Sequence, residues 1–155
     1  MKKLAKEIQR LLVNRHQTLA TAESCTGGRI AAALTAVAGS SGYFQGSLVA
    51  YQNKVKERFL GVSAETIAQY DVVSREVVEE MVLGVCRMFG TDYAIATTGY
   101  AGPDGGTEQI PTGTIWIGAG NVEHIDTVCL HETSTREKNL LQATEEALRL
   151  LFNQL

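Results

Sequence analysis

Short apolar runs alternate with stretches of helical period along the whole chain, and no other feature constrains its fold so tightly. Residues 2 to 15 place Leu4, Ile8, Leu11 and Leu12 on one face and Lys2, Lys3, Lys6 and Arg10 on the rest, which predicts a surface helix. TLATAES reads as a short strand that runs through Cys25-Thr26-Gly27-Gly28 into the helix-like stretch RIAAALTAV. After a turn at Gly39 to Gly42, YFQGSLVAY reads as a strand and NKVKERFLG as a short helix closed by Gly61, with Ser63 the N-cap of AETIAQY. Ser74 is read as the N-cap of a helix over 75–89, whose apolar stripe is Val77, Val78, Met81 and Val85. Tyr93 to Thr98 and Gly113 to Ala119 read as apolar strands, HIDTVCLHE as another. A final helix runs from about Thr135 to Phe152 with Leu140, Ala143, Thr144, Ala147, Leu148 and Leu151 inward. The order predicts an α/β fold of three layers, α/β/α.

A chain of 155 residues, 45% apolar and 20% charged, suits one domain spanning 1–155, and no repeat, low-complexity tract or polar linker divides it. No segment approaches the ~20 apolar residues that span a bilayer, and the first helix is amphipathic, so a soluble, unsecreted, cytoplasmic protein is expected. Cys25, Cys86 and Cys129 are odd in number, far apart and without a CxxC pair, which argues against a disulfide framework and a structural zinc site. The net charge of -3, with no basic run, predicts neither nucleic-acid nor membrane binding. Any anion must be held locally.

Three segments have the make-up of a site. Ser24 ends a strand and precedes a glycine pair that opens a helix, where backbone N–H groups and the helix dipole favour an anion or oxyanion. Capping of that helix by Ser24 and Thr26 explains the same residues without any chemistry. A serine nucleophile needs a base, and none of His16, His124 and His131 falls in such a segment. A lysine serves if burial lowers its pKa from about 10.4 to roughly 7 or 8. Lys54 and Lys56 both follow the VAYQN strand, and periodicity does not choose between them. In the loop at 99 to 106, Gly99, Gly102, Gly105 and Gly106 let amides approach a phosphate or carbonyl. It has neither the dinucleotide-binding nor the P-loop spacing.

TAESCTGG, VAYQNKVK, FLGVS, VVSREVVEEM, TTGYAGPDGG and PTGTIWI stand in the order seen in the CinA C-terminal-domain family, and over about residues 5 to 150 the chain resembles that family's stand-alone form. The resemblance implies a mixed central sheet and hydrolysis of nicotinamide mononucleotide to nicotinic acid mononucleotide and ammonia, with no metal or organic cofactor. It implies Ser24 as nucleophile and Lys56, at the end of Tyr-x-Asn-x-x-Lys, as base. Tyr51, Asn53, Thr98 and Gly99 are implied in orientation and oxyanion contacts. Thr26, Gly27, Gly28, Gly102, Gly105, Gly106 and Arg136 are implied in substrate and phosphate binding. A homodimer or higher homo-oligomer is expected, and the first helix offers an apolar stripe for association.

Two departures bear on substrate. Where many relatives carry Gly-Asp-Arg before the last helix and further arginines one turn on, this chain reads Ser134-Thr135-Arg136, with Leu140 and Leu141 in the next turn, and Tyr100 adds a ring beside the loop. The rival reading is a non-catalytic or weakly catalytic nucleotide-binding regulatory module of the competence/damage-inducible type. Cys25 is a rival nucleophile.

Overall fold

All five residues of β1 (Leu19–Glu23) are buried. A strand closed on both faces needs strands at either side and helices above and below. The computed structural model, which describes residues 1–155, supplies them. β2 (Phe44–Val49), β1 and β3 (Tyr93–Gly99) run parallel, while β4 (Thr114–Gly120) and β5 (Ile125–His131) extend the sheet antiparallel, in the order β2-β1-β3-β4-β5. On one face lie α1 (Lys2–Asn14), α2 (Arg29–Thr35) and α6 (Arg136–Phe152). On the other lie α3 (Asn53–Leu60), α4 (Ala64–Tyr70) and α5 (Arg75–Phe89). This is the three-layer α/β/α arrangement, with a mixed sheet.

Strand parity sorts the core. Leu19 and Ile95 point to the layer of α1, α2 and α6, whereas Ala20, Ala22, Ala94 and Ala96 point to α5. The alanines make a low surface on which α5 settles, and Gly118 of β4 lies so close that a Cβ there would stand 3.1 Å from Val82. Caps follow the sequence: Ser63, Ser74 and Thr135 each accept a backbone N–H from the first turn of α4, α5 and α6. α2 differs. It starts from Gly28 at φ 97° with no side-chain cap, and it ends at Thr35, two residues short of the expected stretch.

The apolar stripe of α1 is not free for association. Ala5, Ile8 and Leu12 are fully buried in the core shared with α2 and α6.

α3 is held against α5 by contact without spacers. A Cβ on Gly84, in the middle of α5, would stand 2.0 Å from the carbonyl oxygen of Leu60, the last residue of α3. Replacing glycine by alanine inside a helix ordinarily gains up to about 1 kcal/mol. Here the sign reverses: Gly84→Ala is expected to destabilise the fold by roughly 1–3 kcal/mol through overpacking. A urea-unfolding midpoint at or above that of the wild type would contradict the packing.

Candidate active site

The carboxyl ends of the three parallel strands come together, and a cavity of about 280 Å3 opens beyond them. Parity carries past the end of β1. Glu23 follows Leu19 and Thr21 toward α2, while Ser24, 7% exposed, opens onto the cavity. The Ser24 N–H donates to the Thr97 carbonyl at 3.1 Å, and its own carbonyl accepts from the Gly27 N–H at 3.1 Å. The turn is thus fixed on both sides of the Ser24 Cα.

Lys56 enters from α3. Lys56 and Leu60, four residues apart, form the helix's buried face, so the stem that reaches the cavity is packed like an apolar side chain. It is 2% exposed, its Nζ donates to the Tyr51 carbonyl at 3.4 Å, and no carboxylate pairs with it. Burial lowers its pKa from 10.5 to about 8, with Cys25 opposing slightly. Lys54, two residues earlier, is exposed and outside the cavity wall, so of the two lysines that periodicity does not separate only Lys56 lines the cavity.

Cys25 also lines the cavity, but burial pushes its thiol up to about 11. That is the opposite of what an activated thiolate needs. None of the histidines lines the cavity: His16 follows α1, His124 pairs with Asp126 at the surface, and His131 ends β5.

The remaining wall comes from both sides of the sheet. The Thr98 hydroxyl donates to the Val72 carbonyl at 2.9 Å, and the Tyr100 hydroxyl to Asp71 Oδ1 at 3.1 Å, fastening the end of β3 to the segment between α4 and α5. The bond with Asp71 and burial both raise the Tyr100 pKa, burial the more. Within β3 the even-numbered residues pair toward β4, a pattern continued by the Tyr100 N–H to the Thr114 carbonyl at 3.0 Å. The Gly99 N–H therefore turns to the β1 side, one step past the last pair of that ladder, Glu23 with Thr97. Tyr51 and Asn53 line the mouth near Arg136, which reaches across from the start of α6. Its Nη1 donates to the Gly102 carbonyl at 2.8 Å and its Nη2 to the Tyr51 hydroxyl at 3.1 Å.

The structure thus gathers Ser24, Tyr51, Asn53, Lys56, Thr98, Gly99 and Arg136 around one cavity and leaves Thr26, Gly27, Gly28, Gly102, Gly105 and Gly106 out of its wall. The anion seat expected at the start of α2 is filled from within. Glu23 accepts the N–H groups of Ile30 and Ala31, each at 2.9 Å. Neither Ser24 nor Thr26 caps the helix, and the Thr26 hydroxyl donates to Glu23 Oε1 at 2.8 Å. The loop glycines serve the loop's own path. Gly106, at φ 82°, passes so near Thr112 that a Cβ would stand 2.5 Å from its nitrogen.

Three contributors escape the motif reading: Glu23, Asp71 and Asn139. Asn139, 3% exposed, donates to the Ala101 carbonyl at 3.0 Å and accepts the Ser134 N–H at 3.1 Å, joining the loop to α6 beside Arg136. The signal for Glu23 and Asn139 was their polarity at positions that parity or helical period assigns to the interior. No group of three or more His, Cys, Asp or Glu side chains is placed to hold a metal ion.

The lowered pKa of Lys56 has a measurable effect on folding. An unfolded chain keeps this proton up to pH 10.5 and the folded one only to about 8, so stability rises with pH between the two and carries the full penalty below 8. That penalty is roughly 3 kcal/mol. Lys56→Met is therefore expected to raise stability at pH 7 by about 1–3 kcal/mol in urea unfolding, the gain shrinking toward pH 10.5. Destabilisation at pH 7 would show that the ammonium is not held at a cost.

Comparison with known proteins finds relatives for the whole chain. Residues 1–155 match the CinA C-terminal domain family. A CinA-like protein of Cytophaga hutchinsonii is 45% identical over 96% of this chain, which spans about a third of that relative's length, 35%. The nicotinamide-nucleotide amidohydrolase PncC of Escherichia coli K12 is 39% identical over 97% of this chain and 92% of its own. Among solved structures, the competence damage-inducible protein A (ComA) of Klebsiella pneumoniae superposes with a TM-score of 0.94 at 37% identity, covering 98% of this chain and 94% of that one.

Proposed function

This chain belongs to the CinA C-terminal domain family, and on that premise we propose that it hydrolyses the carboxamide of nicotinamide mononucleotide, releasing ammonia and nicotinic acid mononucleotide, in pyridine-nucleotide salvage. The observation that carries the reading is Lys56: an amine buried without a counter-charge on the wall that also holds Ser24. Likeness to the PncC amidohydrolase along nearly its whole length supports the choice of substrate.

In this mechanism the neutral Lys56 amine takes the proton of Ser24 Oγ as the oxygen attacks the carboxamide carbon. The C–N bond breaks as Lys56 returns that proton to the departing ammonia, and water then releases the acyl group from Ser24. The Gly99 N–H, unpaired with β1, is the assigned oxyanion donor, with Tyr51, Asn53 and Thr98 orienting the ring. Arg136 takes the phosphate at the cavity mouth, where its guanidinium is exposed and pairs with no carboxylate. The magnitude favours Lys56 over a surface lysine: at pH 7 an amine of pKa about 8 is neutral about a tenth of the time, roughly 300-fold more often than one of 10.5.

Ammonia release from nicotinamide mononucleotide tests the reading directly. Ser24→Ala should bind the nucleotide and release none. Lys56→Ala should lose at least about 100-fold in kcat, in line with general-base contributions. Lys54→Ala and Cys25→Ala should stay within a few-fold of the wild type. kcat should climb with pH and level off above about 8, the pH at which Lys56 gives up its proton. A flat profile from pH 6 upward would remove Lys56 as the base, and nucleotide binding without any turnover would favour the regulatory-module reading.

A further inference from the structure

We propose that Glu23 is a positioning residue for the attack: an internal carboxylate that fastens the 24–28 turn to the start of α2 and so aims Ser24. The proposal rests on the reading of Ser24 as nucleophile. Glu23 is fully buried, and no cation is paired with it. Such a side chain persists only if its oxygens are thoroughly satisfied. Glu23 Oε1 accepts from the Thr26 hydroxyl at 2.8 Å and the Ile30 N–H at 2.9 Å. Glu23 Oε2 accepts from the Ala31 N–H at 2.9 Å and from one hydroxyl of the Thr21–Ser47 pair, whose oxygens stand 3.3 Å from it and share a hydrogen bond of 2.7 Å with each other. Four protons thus reach the carboxylate, from the turn, from α2 and from the hydroxyl pair that bridges β1 and β2.

Capping alone does not require this arrangement. A serine, threonine or aspartate in place of Gly28 is the local solution for a helix start, and α4, α5 and α6 use it with Ser63, Ser74 and Thr135. Glu23 instead caps α2 from the strand, across the turn that contains Ser24. Its bonds close a ring from residue 23 through 26 to 30 and 31, and the Thr26 hydroxyl adds a contact of 2.8 Å with the Thr97 hydroxyl on β3. Ser24 cannot shift along β1 or twist about its carbonyl without breaking several of these bonds together. Precision of this kind matters because displacing a nucleophile by about 1 Å costs on the order of 100-fold in rate.

Glu23→Gln keeps the shape but presents an amide to donors that need an acceptor. Thr26→Val removes one strut without touching the carboxylate, and Thr26→Ser retains it. Two readouts are taken under conditions where thermal melts show each variant folded: kcat and KM for nicotinamide mononucleotide, and the rate at which a fluorophosphonate labels Ser24, which needs no substrate. For Glu23→Gln, kcat is expected to fall at least tenfold with KM within threefold of wild type, and labelling to slow by a similar factor. Thr26→Val should follow in the same direction with a smaller loss, Thr26→Ser should restore both rates, and Thr26→Val decides if Glu23→Gln does not fold. Folded Glu23→Gln or Thr26→Val with unchanged kcat and labelling overturns the proposal, as does a loss confined to KM. A wild type that is labelled at Ser24 yet releases no ammonia refutes the substrate reading, and the labelling rates then decide Glu23 alone.

Discussion

An amine without a counter-ion, kept out of water at the carboxyl edge of a parallel sheet, is the constraint on which the rest of this structure turns. Lys56 has only the Tyr51 carbonyl, at the long distance of 3.4 Å, to replace its hydration. The surrounding layers hold it there. Leu60 packs one turn along α3, and α3 lies against α5 closely enough that only glycine fits at position 84. Relaxing that contact would let water in beside the amine and return its proton affinity toward that of an ordinary lysine. The proposed base and a locally unfavourable arrangement therefore coincide in one side chain, a pairing frequent at sites tuned for proton transfer.

The layered fold was legible because each of its signals is local. The stripe of α5, the apolar run of β3, and the caps Ser63 and Ser74 are all contained in windows of a dozen residues, and the structure places them within a residue or two of expectation. Ser24 and Lys56 were legible only through the resemblance, since physical reading of a Ser-Cys-Thr-Gly-Gly turn favours a capping role and periodicity cannot separate Lys54 from Lys56. What escaped was non-local. That α2 is capped by a carboxylate from the preceding strand depends on the parity of β1 continuing through Glu23, together with Thr26 and Ser47 arriving from two other elements. The same holds for Asp71, which meets Tyr100 across 29 residues, and for Asn139, which meets Ala101 across 38.

The loop from Gly99 to Gly113 shows how composition can mislead in both directions. Four glycines suggested a cradle of amides for a phosphate, yet Gly102 offers its carbonyl to Arg136, and Gly105 and Gly106 pass close to Tyr100 and Thr112. Their lack of side chains is used up in folding the loop onto itself. Gly99 differs from them because it still belongs to β3, and the ladder geometry, more than flexibility, turns its N–H toward the cavity side.

The order of the chain around the cavity divides the site into two inheritable parts. Ser24 and Lys56 both come from the stretch before β3, on the crossovers of the parallel strands, whereas Tyr100, Asp104 and Arg136 come after it, on the antiparallel hairpin and the start of α6. Asn139 and Arg136 bind the later elements to one another, while the Tyr51 hydroxyl alone links them by a side-chain bond to the strand end that precedes Lys56. The rim can accordingly change as a unit, acquiring or shedding cations and rings, while Ser24 and Lys56 stay buried beneath the layers. If Ser24 and Lys56 react as proposed, a scaffold partitioned in this way lets the outer end of the ligand be chosen separately from the bond that is broken.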